Sequence, residues 1–303
     1  MASILETQTK PQPAVGSLSR SNSRLGYFMV APILICLLVL VVYPFLFAIW
    51  ISFTDRMVGQ PGKFVGLANY AYLFGQASFQ ASVINTLVMV VSVQGLKLIF
   101  GLGVALLLNM PIRGRETWRA MILLPWAMPA FVAYLTWKLL YSPQGGAFNI
   151  ALIGSGLVES HVDFLGTRAL AMPSLVIATF WRGFPFWVIS FLAALQNIPQ
   201  EQYEAAAIDG AGPWQRFWHI TLPNIRHVVL VVALLSTIWT TNGFENVWIL
   251  TGGGPSDATM TFPVLAYYGL QSLRIGEAAA VSVAMLPFFA MMVLIVAKLL
   301  QED

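Results

Sequence analysis

Charge is scarce in this sequence. Only 10% of its 303 residues are Asp, Glu, Lys or Arg, against 58% hydrophobic, where a soluble domain carries about 25% charged residues. Such a chain cannot cover a water-facing surface, which excludes a large soluble fold. Cysteine is nearly absent too: Cys36 stands alone inside an apolar run and forms no internal disulfide. The three histidines, His161, His219 and His227, have no ligand spacing to acids or cysteine, and no HExxH occurs, so no metal site is expected. The Gly62-Lys63 pair is followed by Phe64, so a nucleotide-binding P-loop is missing as well. Gly154-Ser155-Gly156 falls short of a nucleophile elbow. A net charge of +3 is too small to suggest a nucleic-acid partner. These absences leave no catalytic machinery on the chain, so it does not read as an enzyme.

What the sequence does have is long apolar runs. Residues 1–24, rich in Pro, Gln and Ser, are expected to form a disordered tail. Runs at 26–51, 83–110, 120–140, 170–195, 227–250 and 278–300 are each long enough to cross a bilayer. The chain is therefore expected to be an all-α membrane protein of six transmembrane helices, with residues 25–303 as one membrane domain and Pro44 as a kink in the first span. The tail side carries Lys10, Arg20, Arg24, Arg113, Arg115, Arg119, Arg216, Arg226 and Lys298, and the opposite side only Arg56, Lys63, Arg168 and Arg274. That bias places both termini in the cytoplasm.

The most polar stretch of the second half, 200–223, lies on the cytoplasmic side between the fourth and fifth runs. Residues 200–209 read as a short helix with Glu201 and Glu204 near its N-terminus, where the helix dipole favours acids. Gly210 falls where a left-handed residue ends a helix. Gly212-Pro213 then turns the chain into a second short helix through Trp218, which Leu222-Pro223 is expected to end.

Ionisable groups at membrane depth usually face the bundle interior or a cavity. The candidates are Lys97, Lys138, Arg182 and Glu245, with Gln94, Asn85, Asn242 and Gln196 as uncharged companions. Lys138, near a span end, is expected to snorkel. Arg182 lies mid-span in WRGFPFW, where Gly183 and Pro185 are expected to break the helix, a recurring device at transporter substrate sites. Asn242 and Glu245, three residues apart, are expected on one helical face with Trp239 and Trp248 nearby. Aromatic faces beside hydrogen-bonding side chains suit sugar rings. Arg182, Asn242, Glu245, Trp239 and Gln94 are thus the candidate substrate-pathway residues. Arg182 either pairs with Glu245 within the bundle or meets an anionic solute.

Glu204-Ala205-Ala206, then Gly210, then Ile220-Thr221-Leu222-Pro223 fill every defined position of a pattern that resembles the EAA motif of importer permeases of the ATP-binding-cassette class. The run FENVWILTGGGPSDAT is similar to the fifth-helix exit of the maltose-type sugar permeases. The resemblance implies a coupling helix between helices 4 and 5 that docks on a cytosolic ATPase, with Glu204, Ala205, Ala206, Asp209 and Gly210 as coupling residues. It also implies a second permease subunit, two ATPase subunits that hold the ATP and Mg, and a periplasmic or extracellular solute-binding protein. The implied cargo is a sugar or sugar derivative, with a neutral oligosaccharide, an anionic sugar and a polyol phosphate all left open. Two other classes stay open. An ion-coupled secondary transporter needs coupling carboxylates at mid-membrane, where this sequence offers only Glu245 and no inverted repeat. A membrane-embedded enzyme needs clustered acid, base or metal residues, which the sequence lacks.

Overall fold

The computed structural model describes the backbone of residues 15–301 and the side chains of residues 26–301. Apart from two isolated bridges, Thr54 with Phe64 and Met57 with Arg274, the regular structure of the described residues is helical. The chain divides into two compact units at Trp50/Ile51.

The first unit is one long rod: α1 (Val15–Leu37), a wide π-turn (Leu38–Val42) and α2 (Tyr43–Ser52), the last residues of which enter the second unit. Of the expected disordered tail, residues 1–14 lie outside the described residues. Residues 15–24 run as helix continuous with the span. Extending a helix from an existing nucleus is far cheaper than starting one. Pro44 does not simply kink the rod. Its ring crowds the carbonyl four residues back, Leu40, and the π-turn accommodates this: the Tyr43 N–H reaches back five residues to the Leu38 carbonyl.

The second unit runs α3 (Ala68–Gly75), α4 (Ala77–Asn109), α5 (Arg115–Ala127), α6 (Ala130–Leu140), α7 (Ala147–Gly154), α8 (Arg168–Gln196), α9 (Gln200–Ile208), α10 (Pro213–Arg216), α11 (Leu222–Thr241), α12 (Glu245–Leu250), α13 (Phe262–Gln271), α14 (Ile275–Ala284) and α15 (Leu286–Gln301). Five helical stretches of the described residues are long and apolar enough to cross a membrane: Gly26–Ser52, Ala77–Asn109, Arg168–Gln196, Pro213–Thr241 and Ile275–Gln301.

Three expectations about span continuity are corrected. The run 120–140 is not one helix: α5 and α6 meet at 91°. Pro129 disfavours helical backbone at Met128, which is extended at ψ 138°. The fourth span, by contrast, is unbroken at Gly183 and Pro185. Pro185 is buried, with α4, α5 and α11 packed along the same helix, and such support lets a membrane helix keep its path past a missing hydrogen bond. Leu222-Pro223 does not end the second short helix either. A second π-turn (Phe217–Thr221) precedes Pro223 as the first precedes Pro44, and Pro213–Thr241 continues as one helix.

Helix α8 is the hub, packed along α4 and flanked by α5 and α11. Gly101 of α4 makes the close approach possible, since a Cβ there would lie 2.9 Å from the Cβ of Trp187. Small residues at such crossings let membrane helices gain van der Waals contact. On one side Trp187, Phe191, Leu195, Ala105, Ile225 and Val232 form a core; on the other, Met89, Val93, Leu175, Tyr134, Trp137 and Val247.

Candidate translocation site

Two breaks between helices border the same cavity. One is the α5–α6 corner. The other is Asn242-Gly243-Phe244, between α11 and α12. Gly243 has no room for a side chain: a Cβ would lie 2.8 Å from Asn246 Oδ1 and 3.1 Å from the Thr240 carbonyl. This break corrects the expectation that Asn242 and Glu245 share a helical face, because α11 ends at Thr241 and Glu245 opens α12.

Between the breaks lies a cavity of about 390 Å³. One wall is aromatic. Trp126 before the α5–α6 corner, Phe186 of α8 and Trp239 of α11 line it, with Phe186 edge-on to Trp239 at 5.0 Å and 6.3 Å from Trp126. Polar groups line the cavity beside these rings. Lys97 of α4, 5% exposed, donates to Ser236 Oγ (3.1 Å) and Thr240 Oγ1 (3.4 Å) on α11. Arg182 of α8 lies with its guanidinium carbon 6.0 Å from the Tyr134 ring centroid, and its buried Nε has no hydrogen-bond partner. Asn246 donates to Thr179 Oγ1 at 3.1 Å behind them.

Of the expected pathway residues, Arg182, Trp239, Asn242 and Glu245 all line this one cavity. Asn242 is exposed and donates to the Ile238 carbonyl at 2.9 Å. Gln94 stands behind the wall: its Nε2 donates to Thr240 Oγ1 (2.9 Å) and its Oε1 accepts from Ser236 Oγ (2.8 Å). Arg182 and Glu245 share the cavity without forming an ion pair, so the pairing alternative is not what the structure adopts. Sequence reasoning missed Trp126, Phe186 and Tyr134. The signal for Trp126 was available in its two flanking prolines, Pro125 and Pro129, the second of which makes the corner.

The stretch after α8 forms a compact projection. Asp209 ends α9 and Gly210 is left-handed at φ +81°. The Ala211 N–H donates to the Ala206 carbonyl (2.8 Å) and the Gly210 N–H to the Ala207 carbonyl (3.1 Å), a Schellman ending. The next turn is fastened by Gln215 Oε1, which accepts from the Gly212 N–H (2.8 Å), and by Arg216 Nε, which donates to the Ala211 carbonyl (2.9 Å). Tyr203 and Thr221 hydroxyls meet at 2.9 Å and tie α9 back to the helix that follows. The expected coupling residues Glu204, Ala205, Asp209 and Gly210 are exposed and Ala206 is partly so. Ile208 and Trp214 are left 88% and 71% exposed, an apolar face on an otherwise polar loop.

Residues 97–302 match the family described as binding-protein-dependent transport system inner membrane component. The trehalose/maltose transport system permease protein MalF of Thermococcus litoralis is 40% identical over 267 residues, covering 87% of this chain and 90% of that protein. The sn-glycerol-3-phosphate transport system permease protein UgpA of Yersinia pestis is 36% identical over 271 residues, covering 88% and 90%. In structure, a chain of a bacterial ABC transporter involved in the import of the acidic polysaccharide alginate matches with a TM-score of 0.78 at 25% identity, over 93% of this chain and 97% of that one. The chain belongs to the family of inner-membrane components of binding-protein-dependent transport systems.

Proposed function

We propose that this chain is a membrane-spanning subunit of an ATP-driven importer that moves a sugar or sugar derivative, delivered by an external solute-binding protein, into the cytoplasm by alternating access. The observation that carries the reading is the cavity where α5–α6 and α11–α12 both break, lined by aromatic rings and hydrogen-bonding groups together. Family membership and the named relatives, which serve trehalose or maltose and sn-glycerol-3-phosphate, support a sugar-like cargo. The cavity is half of a pathway that a second permease subunit completes.

Energy comes from outside the chain. Two ATPase subunits hold ATP and Mg, and α9 docks on one of them through Glu204, Ala205, Ala206, Asp209 and Gly210. The exposed Ile208 and Trp214 give that contact its apolar component. Both termini and the coupling loop are cytoplasmic in the inner membrane. The ion-coupled alternative has no support from the relatives, and Glu245, its one carboxylate, opens a short helix at the cavity rim.

The test is reconstitution of the chain with its second permease and ATPases in proteoliposomes, with the binding protein outside. Uptake of labelled sugar should require internal ATP and the binding protein, and this chain purified alone should hydrolyse no ATP. Uptake that persists without ATP and follows an ion gradient overturns the reading.

A further inference from the structure

Three charged side chains line the cavity: Lys97, Arg182 and Glu245. Two are cations on the same wall. The Lys97 ammonium is deeply buried, and its hydrogen-bond partners are the hydroxyls of Ser236 and Thr240. Gly183, next in sequence to Arg182, leaves the space it occupies: a Cβ there would lie 2.6 Å from Lys97 Nζ. The Arg182 Nε is buried without a partner. Glu245 is exposed at the rim and lies beyond ion-pair distance of both. A cation held away from water, as Lys97 is, needs compensating charge, and the half-buried Arg182 beside it adds repulsion through a medium that screens poorly. The hydroxyls of Ser236 and Thr240 solvate Lys97 but carry no charge. An anion entering the cavity relieves both costs at once.

We propose that Lys97 and Arg182 form an anion-binding subsite of this cavity, which takes a carboxylate, sulfonate or phosphate borne by the transported solute. The inference rests on the reading of the cavity as part of the solute pathway. Arg182 supplies planar paired donors for two oxygens of the anion, and Lys97 supplies a point charge aimed by Ser236 and Thr240. The aromatic wall of Trp126, Phe186 and Trp239 remains for the apolar face of the attached ring. Specificity for the charged group thus comes from the two cations and affinity for the ring from the aromatic side chains beside them.

The experiment is equilibrium binding of radiolabelled glucuronate to the assembled importer in detergent, without the binding protein, so that the membrane cavity alone is read. Saturable binding is expected, displaced by sulfate or inorganic phosphate and not by glucose. Lys97→Gln and Arg182→Gln should each weaken it at least about tenfold, as loss of one hydrogen bond to a charged group does. Lys97→Arg and Arg182→Lys, which keep the charge, should retain saturable binding, and this separates loss of charge from loss of fold. The proposal is overturned if glucose displaces glucuronate as well as sulfate does, or if the glutamine variants bind like the parent. It is equally overturned if no anion binds, as when an acid of the neighbouring subunit already pairs with the two cations, or if an anionic phospholipid displaces glucuronate where sulfate does not. The proteoliposome assay stands apart. ATP-driven uptake of a neutral sugar with no anion binding keeps the importer and removes the subsite, whereas anion binding without ATP-driven uptake does the reverse.

Discussion

Gly210 shows how much one backbone angle controls. At φ +81° nothing lies within 4 Å of where its Cβ would be, so a side chain is opposed by backbone conformation alone. A β-branched residue there costs about 1–3 kcal/mol, felt in the Schellman ending of α9 and not in the spans. Gly210→Val is expected to insert into the membrane normally and to lose transport together with solute-stimulated ATPase activity of the complex. Gly210→Asn should recover much of both, since asparagine visits the left-handed region at little cost. Full coupled activity in Gly210→Val would remove the projection from energy transfer. This residue was legible in the sequence because helix, glycine and turn are neighbours in the chain. Trp126 and Phe186 were not legible, because they meet only once α5 and α8 are packed. Arg182, a candidate from the sequence, lines the cavity, yet its missing ion pair with Glu245 depended on a helix break that periodicity does not reveal.

At the scale of elements, proline positions were readable and their consequences were not. Pro129 turns the chain through 91°, Pro185 leaves α8 unbroken, and Pro44 and Pro223 each follow a widened turn. Each proline removes the same hydrogen bond. What differs is the packing around it, a property of the fold and not of the local sequence. The α4–α8 crossing is the element contact that positions the polar wall, because it carries Lys97 to Gly183. Its close point is Gly101, where a methyl would press on Trp187 at 2.9 Å. Gly101→Ala is expected to push the helices apart at a cost of about 1–3 kcal/mol, as overpacking does. Gly103, exposed two residues on, has open space, and Gly103→Ala should be neutral or slightly stabilising through helix propensity. Thermal denaturation of the two variants in detergent reads the difference. Equal stability would mean the crossing is not tight in the membrane.

For the whole molecule the open quantity is parity. Among the described residues five helices qualify as spans, and the α5–α6 pair makes a sixth if the bent unit crosses the bilayer as one. The two counts give opposite topologies beyond Leu140. If α5–α6 crosses, Arg113, Arg115 and Arg119 share a side with Arg216 and Arg226, and the projection at Gly210 faces the ATP-containing compartment. If it dips and returns, the projection and those two later arginines lie outside, against the tendency of basic residues to stay in the cytoplasm. The charge distribution therefore favours crossing. Because Cys36 is the one cysteine in the chain, Cys36→Ser gives a clean background for labelling. Single cysteines at Gln271, exposed at the end of α13, and at Glu201, exposed at the start of α9, report the two sides. A membrane-impermeant maleimide is expected to label Gln271→Cys in intact spheroplasts and Glu201→Cys only after permeabilisation. The reverse pattern would make α5–α6 a re-entrant hairpin, place α9 beyond the reach of any cytosolic ATPase, and sink the coupling mechanism with it.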